Sequence, residues 1–161
     1  MPLLINGSES VDPWISLDIE AYQQDPRTEL LRLKLTKAAI YPIAIYLEHS
    51  DELQASGQKI GLLVTGDDDL SQIASLLKSV ALIAIDFPVL RDGRGFSIAR
   101  NITRRGFTGE VRAVGDVSYD RLDNMHRSGF NAYQLPDQNF GPQTLKAFSE
   151  ISVNYQSTHP R

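Results

Sequence analysis

From residue 60 onward the hydrophobic period of the chain switches repeatedly between that of a strand and that of a helix, and this alternation constrains the fold more than any other feature. The apolar runs IGLLVT (60–65), ALIAIDF (81–87), EVRAVGD (110–116) and NAYQL (131–135) read as strands. Between the first two, Leu70, Ile73, Ala74, Leu77 and Val80 recur at helical spacing behind acidic N-cap candidates at Asp67 and Asp68. A short helix is expected over Ser97 to Arg105, ended by Gly106 in a left-handed conformation. A further helix is expected behind Ser118, with Val117 and Leu122 as its hydrophobic staple and Gly129 as its stop, and a last one opens at Pro142 and runs through Leu145 and Phe148.

Strands joined by helices pair in parallel through right-handed crossovers, so the fold class is α/β, with repeated βα units forming a mainly parallel sheet. An open doubly wound sheet is the expected form, with a partial (β/α) barrel as the alternative. The first 59 residues are less regular. Leu3 to Ile5 reads as a short strand ending at Asn6-Gly7, Trp14 as a core anchor, Thr28 to Lys37 as either helix or strand, and Ile43 to Leu47 as a strand. One domain over 1–161 is expected, with 1–59 packing on a 60–161 core; a chain of this length buries about two-thirds of its unfolded surface unaided.

Composition narrows the chemistry. Apolar residues make up 42% and charged residues 22%, as in ordinary globular proteins, and there is no cysteine to supply a disulfide, a thiolate nucleophile or iron-sulfur ligation. The N-terminus lacks the basic and apolar regions of a signal peptide, and the longest apolar run, AAIYPIAIYL (38–47), is too short to span a bilayer. A cytoplasmic protein without membrane attachment is the expectation. The net charge of −4 is unevenly shared: residues 91–127 hold eight arginines against five acids, a surplus of +3, and the remainder carries −7. Such asymmetry points to an anionic ligand or an acidic protein surface, whereas the overall acidity and the lack of lysine in that stretch argue against nucleic acid.

In a parallel sheet, ligands meet the carboxyl ends of the strands. There the stretch DFPVLRDGRGFSIARNITRRG (86–106) offers a site for an oxyanion such as sulfite, sulfate or phosphate. Gly93 and Gly95 would let backbone approach the ligand, Ser97 opens a helix whose N-H groups are free, and Arg91 and Arg94 carry planar forks. Asp116 and Asp86 are the candidate proton-transfer groups at strand ends. A mechanical reading competes, in which Asp92 and Arg94 pin a turn and Arg100 with Arg104 forms a surface stripe or a dimer contact. The acids at 67–69 could join Asp86 and Asp116 around magnesium, but capping accounts for them equally, and His49, His126 and His159 lack ligand spacing, so no metal is expected. Gly93, Gly95 and Asp116 form a partial dinucleotide fingerprint. Ile98 replaces its third glycine and the turn comes late, which disfavours a nicotinamide or flavin nucleotide and leaves no cofactor predicted. Ser97 and Ser118 are better explained as caps than as nucleophiles.

These residues also carry a family resemblance. Over about residues 40–135, the order and spacing of DGRGFS, the GE-RAVGDV segment and RSGFNAYQL resemble a bacterial family of unknown function. Its genes commonly lie beside those for assimilatory sulfite reductase, and its members are often labelled probable oxidoreductases of sulfite reduction. Asp92, Gly93, Arg94, Gly95, Ser97, Arg100, Arg112, Gly115 and Asp116 match the pattern. Phe96, the Tyr119-Asp120-Arg121 triplet and Ser128 depart from it, standing where the family often has Tyr, Arg-Asp-Gln and Cys.

The resemblance implies a pathway, not a reaction. Multi-electron reduction of sulfite needs haem-type and iron-sulfur centres, and a cysteine-free chain has no evident means of ligating the cluster. The expected role is therefore accessory: engaging sulfite reductase or another protein of sulfate assimilation, or delivering substrate or electrons to it, through an arginine face that includes Arg100, Arg104 and Arg112. Two alternatives are an enzyme acting on a small anion at the strand ends and a structural homodimer without ligand.

Overall fold

The strand runs lie side by side in chain order. The computed structural model describes residues 3–5, 8–87, 94–115, 117 and 122–134. Its strands are β1 (Leu3–Ile5), β2 (Ser8–Ser10), β3 (Ile15–Ser16), β4 (Ala38–Pro42), β5 (Lys59–Val64), β6 (Leu82–Phe87), β7 (Glu110–Gly115) and β8 (Ala132–Gln134). They form one sheet ordered β2-β1-β8-β7-β6-β5-β4-β3, in which β3 to β8 pair in parallel. At one edge β1 is antiparallel to both β8 and β2, so the sheet is mixed.

This order corrects the expectation of a doubly wound sheet. A doubly wound sheet reverses its strand order midway and so carries helices on both faces. Here strands 3 to 8 follow one another without reversal, and crossovers of one hand then place every helix on the same side. The sheet curls around the face opposite these helices into a half-barrel. Chain length accounts for the curl. The segment from Ser10 to Ile15 joins the two outermost strands and spans at most about 18 Å, whereas eight strands laid flat would be roughly 34 Å across.

The helices are α1 (Ile19–Gln24), α2 (Pro26–Lys34), α3 (Ile43–Glu48), α4 (Ser50–Ala55), α5 (Leu70–Ser75), α6 (Arg94–Arg104) and α7 (Leu122–Ser128). The ambiguous stretch at 28–37 belongs to α2, whose N-cap Asp25 accepts from the Thr28 amide and whose first residue is Pro26. The strand expected at Ile43 to Leu47 is instead α3. Pro42, with no N-H and a ψ of 140°, ends β4 and starts the helix, so the long apolar run divides into strand and helix at the proline. Asp69, not Asp67 or Asp68, caps α5, accepting from the Ser71 amide at 2.9 Å. The expected Ser118 cap and the Pro142 helix with Leu145 and Phe148 lie outside the described residues.

Two apolar layers hold the sheet. Between sheet and helices lie Tyr41, Leu62, Ile83, Ile85, Val111, Ala113 and Tyr133 with Leu33, Tyr46, Ile98, Ile102 and Met125. The concave face carries a smaller cluster of Ile40, Leu82 and Ala84, covered by Trp14, Leu63 and Val114. Trp14 reaches it because residues 11–14 cross that face as a strap, and Gly61 leaves room for the indole: a Cβ there would stand 3.2 Å from Trp14 Cζ3. Among the described residues no helix is long and apolar enough to cross a membrane.

Candidate functional site

The carboxyl ends of β5, β6 and β7 deliver the residues expected to act. Asp86, next to last in β6, faces the concave side and rests against Gly115, whose φ of +88° and bare Cα admit its carboxylate. Burial raises the Asp86 pKa above its ordinary value, favouring the protonated acid relative to a solvated aspartate. Asp116, the other proposed proton-transfer group, lies outside the described residues, as do Arg91, Asp92 and Gly93.

Each carboxylate of the acidic loop after β5 has a partner. Asp68 accepts from the Thr65 amide at 2.7 Å, Asp69 caps α5, and Asp67 pairs with Arg94 at 2.5 Å. The Arg94 partner is thus 27 residues earlier in the chain, a contact that no local spacing could reveal. Both side chains of that pair are mostly exposed, so it orients Arg94 with little effect on stability. Among the described residues no group of three or more histidines and acids stands close enough to hold a metal ion.

Helix α6 follows from its sequence pattern. Phe96, Ile98, Ala99 and Ile102 are buried, while Arg94, Ser97, Arg100 and Arg104 share the opposite, exposed face. At its end Gly106 has a φ of +88°; its amide donates to the Thr103 carbonyl and that of Phe107 to the Ile102 carbonyl, the paired bonds of a Schellman cap. Gly95, expected to let backbone approach a ligand, has a different task. It is buried against β6, where a Cβ would come within 2.6 Å of the Phe87 ring. Its lack of a side chain sets how closely α6 packs on the sheet. Ser97 is exposed, and its hydroxyl accepts from Arg100 at 3.5 Å.

The proposed partner residues separate. Arg100 and Arg104 stand on the exposed face of α6, and Arg105, just past its end and also exposed, adjoins Arg104 although the sequence does not assign it to the partner contact. Arg112 does not stand with them, which corrects its placement on the arginine face. It lies on the concave side of β7, its side chain 1% exposed, with Asp12 accepting from both terminal nitrogens at 2.8 and 3.1 Å and Glu110 accepting from Nε at 2.7 Å. Asp12 also accepts from the Trp14 amide at 3.0 Å. Arg112 therefore anchors the strap, and no partner can reach it without displacing that segment.

Comparison with known proteins agrees at the level of fold. The structure resembles that of the Bacillus subtilis YkuI protein, with an EAL domain, in complex with its substrate c-di-GMP and calcium. The TM-score is 0.57 at 17% sequence identity, over 92% of this chain and 45% of that one. This chain thus spans less than half the length of that neighbour, and at such identity the likeness shows the fold alone. No curated protein matches the sequence. A family model does match, over residues 61–161, which hold the half-barrel strands β6, β7 and β8 and the basic helix α6. The chain therefore belongs to the bacterial proteins of unknown function grouped as DUF934.

Proposed function

We propose that this chain is an accessory protein of assimilatory sulfite reduction that docks on an acidic surface of the reductase through the basic face of α6. One observation supports the docking surface. Arg94, Arg112 and Arg127 each pair with a carboxylate, whereas Arg100, Arg104 and Arg105 are exposed and have no carboxylate partner among the described residues. Two such cations one turn apart on α6 and a third just past its end, none with a carboxylate partner among the described residues, favour an acidic partner through steering and through Arg-carboxylate pairing. The link to sulfite reduction rests on the sequence resemblance.

The test is binding of the purified chain to immobilised assimilatory sulfite reductase. The double variant Arg100→Glu, Arg104→Glu is expected to bind at least about tenfold more weakly while its thermal melt stays close to wild type. Equal binding by the variant would remove α6 as the docking surface. The second reading, a small-anion enzyme at the strand ends, is favoured by the half-buried Asp86 beside Gly115 and by Arg94 at the head of α6. It requires stabilisation of the isolated chain by sulfite, sulfate or phosphate, lost in Arg94→Ala.

A further inference from the structure

A groove of about 870 Å³ opens at the other end of α6, away from the strand-end site, between the end of α5 and the turn leading into β7. Its walls include the half-buried side chains Leu77, Val80 and Phe107, and Gly109, also in the lining, leaves room for the Phe107 ring, whose Cζ lies 2.6 Å from where a Cβ would stand. Lys78 and Arg105 line it from either side, and no aspartate or glutamate does. Arg105 donates from Nε to the Asn101 amide oxygen, and neither cation has a carboxylate partner among the described residues. Each cation follows the end of a helix, where the carbonyl dipoles favour positive charge. That position explains why a cation is tolerated there, but not why apolar surface is left open between the two.

We infer that this groove receives a large apolar side chain, aromatic for preference, from an acidic segment of the partner protein. The inference rests on the reading that α6 engages an acidic surface, and supplies what that surface lacks. Interfaces draw most of their affinity from a few apolar anchors seated in pockets, with charges around them setting orientation and rate. The arginine stripe offers only the charges. Arg105 joins stripe to groove, being next in sequence to Arg104 and also part of the groove wall. A segment lying along α6 would thus meet Arg100 and Arg104 with its carboxylates and place its anchor against Leu77, Val80 and Phe107. The absence of acid from the lining selects against a basic segment.

The experiment is a nuclear magnetic resonance titration of the isotope-labelled full chain with two capped pentapeptides of equal charge, Asp-Glu-Phe-Glu-Asp and Asp-Glu-Ala-Glu-Asp. The phenylalanine peptide is expected to shift amides at 74–81 and 105–109 saturably, and the alanine peptide to bind at least about tenfold more weakly. Ser75→Trp fills the groove from an exposed position whose hydroxyl bonds only within α5, so it leaves the fold and the α6 arginines in place. It is expected to remove the preference for phenylalanine. Equal binding of the two peptides, or shifts elsewhere, would overturn the groove as an anchor site. Binding of Ser75→Trp to the reductase separates the two readings. Undiminished binding sinks the groove but leaves α6 as the docking surface, whereas a reductase that never binds wild type sinks the function and leaves the peptide result to decide the groove.

Discussion

Asp86 shows how one half-buried carboxylate can oppose stability. Its concave position is set by the alternation of β6, and the nearby backbone of Gly115 takes space that water would otherwise fill. With its pKa raised above the ordinary 3.8, the native state binds its proton more tightly than the unfolded chain does. The stabilising contribution is therefore complete below the unfolded value and is lost as pH rises through the folded one, leaving a net cost at neutral pH. Asp86→Asn is accordingly expected to melt higher than wild type at pH 7, with the difference shrinking to nothing as the pH falls below 3.8. Thermal melts at both ends of that range check it. A variant less stable at pH 7 would mean that the ionised carboxylate has a favourable partner.

At the scale of the element, α6 is fixed by packing more than by propensity. Gly95 should be a weak point in an eleven-residue helix, since glycine costs about 1 kcal/mol against alanine. Yet the Phe87 ring, packed at a tilt against Phe96 and Phe130 with centroids 5.2 and 5.7 Å away, occupies the space a Cβ would need. Gly95→Ala is expected to destabilise, because overpacking of about 1–3 kcal/mol exceeds the propensity gain. A rise in the melting midpoint would show that the ring yields at little cost. The periodicity places the start of α6 at Ser97 and not at Arg94, because Gly95 reads as loop, when in this helix it answers a packing need. Periodicity locates β5 to β8 within a residue or two, since buried strands announce themselves by continuous apolar runs. It misreads Ile43 to Leu47, where a buried helix and a buried strand share the same apolar composition and only Pro42 marks the boundary.

Over the whole molecule, the controlling contact joins residues one hundred positions apart. Asp12 and Arg112 meet only because the strap crosses the half-barrel, so periodicity around either residue carries no sign of the pair, and arginine in a strand was read as surface. A buried guanidinium held by two carboxylates loses much when one is removed. Breaking a fully buried pair costs roughly 3–5 kcal/mol, and Asp12→Ala should cost somewhat less because Glu110 remains, about 2–3 kcal/mol. In urea that lowers the midpoint by roughly 1 M. The loss should also be cooperative. The strap joins the outer strands and places Trp14, the chain's one tryptophan, over Gly61 at the middle of the sheet, so releasing it uncovers Ile40 and Leu82 and frees both edges. Tryptophan fluorescence, which reports the strap, and far-ultraviolet circular dichroism, which reports the sheet and helices, should therefore give coincident urea transitions in wild type and in Asp12→Ala. If fluorescence changed at lower urea than dichroism, the strap would be a separately detachable cover, and the curl of the sheet would have to be held by its helices alone.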